Sequence, residues 1–125
     1  DDMEAEIKAA LADKGYATPT NDAEMLSCIF HSLAERYKEV LDMLQEVAPF
    51  KIEKLHVIGG GSANDLLNQW TANAVGIPVV AGPTEATAIG NLMVQAKAAE
   101  LVNDRWEMRK MIAETIQVKT YYPDT

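Results

Sequence analysis

Only one cysteine, Cys28, stands in the chain, so no internal disulfide and no thiolate metal cluster can form within it. That usage suits a reducing compartment and predicts a cytoplasmic protein. Positive charge is also scarce. Eleven Lys and Arg against nineteen Asp and Glu leave a formal net charge of −8. A balance of that sign argues against general nucleic-acid binding, because a phosphate backbone rewards clustered Lys and Arg. It leaves room for one small anion held by backbone amides. No apolar run approaches the ~20 residues that span a bilayer, and no signal peptide, internal repeat or low-complexity segment is visible. The first residue is Asp1 rather than Met, which reads as a processed chain or as an excerpt of something longer. What remains is 125 residues of ordinary globular composition, enough for one small domain.

The order of elements is α/β. Met3 to Lys14 reads as a short helix with Asp2 as cap and Gly15 as stop. Tyr16 to Thr20, with Pro19, reads as a linker. Asn21 and Glu24 then resemble a capping box. Leu26, Ile29, Phe30, Leu33, Tyr37, Val40, Leu41, Leu44 and Val47 follow at helical spacing, which predicts a long amphipathic helix with one wide buried face, ended by Pro49. Residues 1–53 are thus a helical segment. Residues 54–101 read as strand (Lys54 to Ile58), glycine turn, helix (Ser62 to Val75, stopped by Gly76), strand (Ile77 to Ala81) and helix (Thr84 to about Leu101). Residues 102–125 hold a last helix, opened by Asp104 with Glu107 and running to about Thr115, and an irregular or extended tail. A strand, crossover helix and second strand make a right-handed parallel unit. Two strands are too little sheet to stand alone, so further strands are expected beside them, from the same original chain or a partner.

The junction LHVIGGGSANDLLNQW, Leu55 to Trp70, carries the functional question. Glycine inside an element costs about 0.5–1 kcal/mol relative to alanine, so three in a row need a reason. Gly59, Gly60 and Gly61 lie at the carboxyl end of the first strand, where ligands of open α/β sheets bind. They also precede a helix start, where unpaired N–H groups and the helix dipole favour an anion. Ser62 suits the helix cap, Asp65 completes a cap-box-like pair, and Asn64 offers a donor and an acceptor toward the loop, so Gly59, Gly60, Gly61, Ser62 and Asn64 are the candidate nucleotide-binding residues. The run is neither a Walker A loop nor G-x-G-x-x-G. From the residues alone, a nucleotide or phosphate site and a plain tight turn stand side by side.

The stretch LHVIGGGSANDLLNQWTANAVGIPVVAGPTEATAIGNLMVQA closely resembles the carboxy-terminal, nucleotide-binding half of the FGGY carbohydrate kinases. The run PVVAGPTEATAIGNLMVQA narrows the resemblance to the branch that phosphorylates the ketose L-rhamnulose at O1. The likeness is strongest from Leu55 to about Ala98 and weaker through DDMEAEI, the long helix and the VKTYYP tail. It implies that residues 1–125 are part of a ribonuclease-H-like domain of the actin-like ATPase kind, with two parallel strands and flanking helices. It also implies ATP as substrate, Mg2+ in the complete enzyme, and a sugar bound mainly by an absent amino-terminal domain that carries the catalytic base. By the same resemblance Gly60 and Gly61 contact the adenosine and α-phosphate side, Gly59 shapes the turn, and Asn64 meets the adenine end. Gly59 stands where many members of the superfamily have aspartate.

No catalytic base and no metal ligand is assigned in this chain, and the 125 residues alone are expected to be inactive. They are also expected to expose apolar surface and to self-associate. Asp65 and Glu85 read as helix-start residues, though Glu85 could line a cleft. His56 reads as a satisfied strand histidine, His31 as a helix residue beside the apolar face with no ligand partner at metal spacing, and Cys28 as packing. Trp70 and Trp106 fit helix packing better than ligand stacking. Gly90, with Ala86 and Ala88, would let its helix approach the sheet closely, and Tyr121 and Tyr122 would anchor the tail. Three alternatives remain: a kinase of another ketose or polyol, a non-catalytic actin-like module, and a dinucleotide-binding oxidoreductase domain. PVVAGPTEATAIGN counts against the second and the missing glycine spacing against the third.

Overall fold

The computed structural model describes residues 2–124. Asp1 and Thr125, at the ends of the expected first segment and tail, lie outside them. The elements in chain order are α1 (Met3–Asp13), α2 (Asp22–Val47), β1 (Leu55–Val57), a 3-10 turn (Gly60–Ala63), α3 (Asp65–Val75), β2 (Val79–Ala81), α4 (Ala86–Ala98), α5 (Arg105–Thr115) and β3 (Lys119–Tyr121). None of the described helices is long and apolar enough to cross a membrane.

Local chemistry sets the helix ends. Asp2 caps α1 by accepting from the Ala5 N–H, and Gly15 leaves the helix at φ 74°. Asn21 caps α2 through the Glu24 N–H at 3.0 Å. The expected reciprocal bond is displaced by one residue. The Glu24 carboxylate accepts from the Thr20 N–H at 2.7 Å and the Thr20 hydroxyl at 2.8 Å, instead of reaching the cap residue. The same displaced box opens α5, where Asp104 accepts from the Trp106 and Glu107 N–H groups while Glu107 accepts from Asn103.

The sheet differs from the expected pair. β1 and β2 are parallel, with Leu55, His56 and Val57 opposite Val79, Val80 and Ala81. The tail supplies a third strand: β3 runs antiparallel to β2, with Tyr121 opposite Val79 and Lys119 opposite Ala81. Val118, Thr120 and Tyr121 are β-branched or aromatic residues of the kind that a pleated, half-buried surface takes. The sheet is therefore mixed, in the order β1-β2-β3.

The core is small and sits between this sheet and α3. Ala72, Val79, Ala81 and Tyr121 form it, with Leu55, Val57 and Val75 packed against them. α2 packs on the outer side of α3, where Ala34 and Leu41 are buried. His31 stacks on Trp70 at 3.9 Å between centroids, and Phe30 meets Trp70 edge-on at 6.4 Å.

Three packing expectations are corrected. The wide buried face of α2 is only partly covered, because one helix cannot cover a stripe broader than its own contact row. Leu26, Leu33, Tyr37, Val40, Leu44 and Val47 are exposed. With half-buried Phe30 they advance in alternating steps of three and four residues along the helix. α4 buries no residue, and a Cβ built on Gly90 would meet nothing within 4 Å, so Gly90 permits no close approach to the sheet. α4 also begins at Ala86, because Pro83 and the turn at Thr84 and Glu85 precede its first helical residue. Trp106 is exposed, with the Arg105 and Arg109 guanidinium groups 4.9 and 5.2 Å from its ring centre, and does not pack a helix.

Candidate functional site at the glycine turn

The turn after β1 is stitched to the loop after β2. The Gly59 N–H donates to the Pro83 carbonyl at 3.1 Å, and the Gly82 N–H donates to the Val57 carbonyl at 2.8 Å. Gly59 adopts φ 84° and ψ −175°, a region that belongs essentially to glycine. Its identity is a backbone requirement. Gly60 and Gly61 are different. Neither has a positive φ, and a Cβ on either would meet nothing within 4 Å. Nothing in the fold itself asks for glycine at these two positions.

Ser62 is not the helix cap. The glycines and Ser62 tighten into a 3-10 turn, which moves the start of α3 three residues onward. The buried Ser62 hydroxyl turns back to donate to the Gly59 carbonyl at 2.7 Å. The fully buried Asn68 amide donates to the Ser62 carbonyl at 2.8 Å and pins the turn from below. Asn64 takes the cap, its side-chain oxygen accepting from the Leu67 N–H at 3.0 Å. One of the two lone pairs of that oxygen is therefore engaged within the chain, and its amide N–H groups are left for a ligand. Asp65 forms no box with Ser62. It reaches across to β3, where it accepts from Lys119 Nζ at 3.0 Å and from the Tyr121 hydroxyl.

Beside the turn opens a cleft of about 460 Å³ at the carboxyl ends of β1 and β2. Ser62, Ala63 and Asp65 line one side, Thr84 and Glu85 the end toward α4, and Lys119 the side toward β3. Of the five residues expected to bind nucleotide, only Ser62 lines this cleft; Gly59, Gly60, Gly61 and Asn64 lie in the adjoining turn and are not among its lining residues. Glu85 stands at the start of α4 without capping it through its side chain and does line the cleft. Lys119 was not signalled as a site residue. The sequence V-K-T-Y carries no period-two alternation, and only the pleat of β3, once paired with β2, places residues 119 and 121 on one face.

The remaining candidates fall elsewhere. His56 is exposed on β1, because alternation turns it away from the face that Leu55 and Val57 bury, so it is not a satisfied core histidine. His31 is committed to Trp70, and Cys28 is half-buried. Tyr121 anchors the tail in the core. Tyr122 is exposed and contributes its carbonyl to the Gln69 amide at 2.7 Å. Among the described residues, no three His, Cys, Asp or Glu side chains come together to hold a metal ion.

With this geometry in place, the affiliation of the chain is plain. Residues 3–99 match the FGGY family of carbohydrate kinases, C-terminal domain, and the chain belongs to that family. It is similar to a rhamnulokinase of Bacteroides thetaiotaomicron, with 53% identity over 122 residues, which cover 98% of this chain. The chain spans about a quarter (25%) of that relative's length.

The cross-strand contact titrates in a defined way. Hydrogen bonds from Tyr121 and Lys119, and the Lys119 charge, hold the Asp65 carboxyl below the usual carboxylate range. The hydrogen bonds to Asp65 and Tyr121 hold Lys119 above the usual amine range. A depressed carboxylate stabilises the fold above its unfolded pKa and loses that contribution as pH falls through its folded value; a raised amine does the reverse on the alkaline side. The contact should therefore persist from below the ordinary carboxylate range to above the ordinary amine range. Carboxyl NMR titration should find an Asp65 midpoint below the ordinary range, moving upward in Tyr121→Phe and in Lys119→Met.

Proposed function

We propose that this chain is the nucleotide-binding part of an ATP-dependent kinase that transfers the γ-phosphoryl group to L-rhamnulose, giving L-rhamnulose 1-phosphate. One observation carries the reading. Gly60 and Gly61 sit at the carboxyl end of a parallel strand with ordinary φ and open space where their side chains would be. Glycine there leaves the backbone open to close approach by a ribose or phosphate, a demand that the fold does not make. The ketose assignment is supported by the similarity to the rhamnulokinase. In this reading the domain is ribonuclease-H-like, and the sugar and the catalytic base belong to the rest of a longer kinase chain. Cys28 as the single cysteine agrees with a cytoplasmic setting.

The chemistry asked of these residues is positioning. Phosphoryl transfer needs little covalent help from the protein, and most of the rate comes from orientation and charge neutralisation. The turn offers backbone N–H groups, the Asn64 amide and the start of α3 to the nucleotide. Magnesium would neutralise the phosphates of the bound nucleotide; the present residues provide no cluster for it among those described, and none is assigned to hold it.

The deciding assay is ATP-dependent phosphorylation by the complete kinase chain across L-rhamnulose, L-fuculose and D-xylulose. Preference for L-rhamnulose is the expected result. Preference for another ketose sinks the substrate assignment, and tight ATP binding without phosphorylation of any sugar favours a non-catalytic module. In that chain Gly60→Val should raise KM for ATP about tenfold with little change in stability, since the fold leaves room for the side chain. Gly59→Ala should instead cost about 1–3 kcal/mol of stability through its backbone conformation. The 125-residue chain alone should transfer no phosphoryl group, and it should self-associate through the exposed stripe on α2. Light scattering should show a concentration-dependent mass that Val40→Glu reduces to that of the monomer.

A further inference from the structure

The cleft beside the glycine turn has two walls from distant parts of the chain, and one side-chain contact spans them. Asp65 belongs to the wall formed by the turn and the first residue of α3; Lys119 and Tyr121 belong to the wall formed by β3. The partners lie 54 and 56 residues apart in sequence. At the other end of α3 the tail is held separately. Gln69 donates to the Tyr122 carbonyl, and Asn73 accepts from the Asp124 N–H at 2.9 Å. β3 and the tail that follows it are thus tied along α3, and Asp65 is the tie at the cleft.

We infer that Asp65 is a positioning residue for the nucleotide, setting the width of the cleft through Tyr121 and Lys119. The inference rests on the nucleotide reading above. Tyr121 is a fixed reference, because its ring is buried in the core while its hydroxyl reaches Asp65. Asp65 directly follows Asn64, the cap on which the 3-10 turn ends. Holding Asp65 therefore holds the point where the turn passes into α3, and with it the Ser62–Ala63 side of the cleft. Lys119 has a second effect. It pairs with one of the two carboxylates lining the cleft, leaving Glu85 as the other, and so lessens the repulsion that an anionic nucleotide would meet. None of the three groups is asked to touch the reacting atoms.

The experiment uses the complete kinase chain, with ATP binding by calorimetry and steady-state kinetics for wild type, Asp65→Asn, Asp65→Glu, Tyr121→Phe and Lys119→Met. Tyr121→Phe keeps the buried ring and removes only the hydroxyl, so it separates the tie from core packing. Asp65→Asn and Tyr121→Phe should each raise KM for ATP by about three- to tenfold, the range of one lost hydrogen bond. The KM for sugar and kcat should stay within about twofold, and Asp65→Glu should recover part of the loss. A lowered melting midpoint with an unchanged KM for ATP would overturn the inference, because it would mean a stabilising contact only. Wild type that binds ATP while every variant binds it equally well overturns this inference and leaves the nucleotide reading standing. A wild type that binds no ATP overturns both.

Discussion

Everything in this small domain depends on β2 being shared. Three strands of three residues each would not persist in isolation, yet Val79, Val80 and Ala81 pair on one side with β1 and on the other with β3. Val79 has no exposed surface, and the buried faces of Ala72 and Tyr121 meet beside it. The shared strand joins a crossover unit of short sequence separation to a tail arriving some forty residues later. It also fixes where the two carboxyl-terminal loops lie. The Gly59 N–H bonds to the Pro83 carbonyl and the Gly82 N–H to the Val57 carbonyl across the strand ends, so the candidate site is an extension of the sheet's own ladder.

That dependence explains what was legible in the sequence. Helix positions were, because their signals are local: Asn21, Asp104, Gly15 and Gly76 act on neighbours within a few residues. The two parallel strands and the glycine turn between them were legible for the same reason. The third strand was not placed, since Lys119 to Tyr121 is a strand only by virtue of finding β2 across a long separation. The cap shifted from Ser62 to Asn64 because Gly60 to Ala63 close a 3-10 turn that a propensity argument cannot distinguish from a first helical turn. The same shift freed Asp65 to cross to β3. Packing of α2 and α4 was misjudged because periodicity reports which face is apolar and says nothing about what covers it.

The turn itself divides its glycines between two duties. Gly59 serves the backbone, at a φ that other residues avoid, while Gly60 and Gly61 serve space. Ser62 and Asn68 make the division workable. Buried, hydrogen-bonded polar groups beneath the turn hold it in one shape without filling the side that faces outward. A rigid underside with an open upper side suits a site that positions a ligand, because little ordering is left to occur on binding.

The stripe on α2 has a geometric consequence. From Leu26 to Val47 its residues recur every 3.5 positions on average, whereas a straight α-helix turns every 3.6. The mismatch rotates the stripe by about 20° per seven residues, so over its three heptads it winds through roughly 60° about the helix axis. A flat or straight surface could touch only part of such a line. Whatever covers the stripe in full must carry a twist of its own, as a β-sheet does from strand to strand or a supercoiled helix along its length.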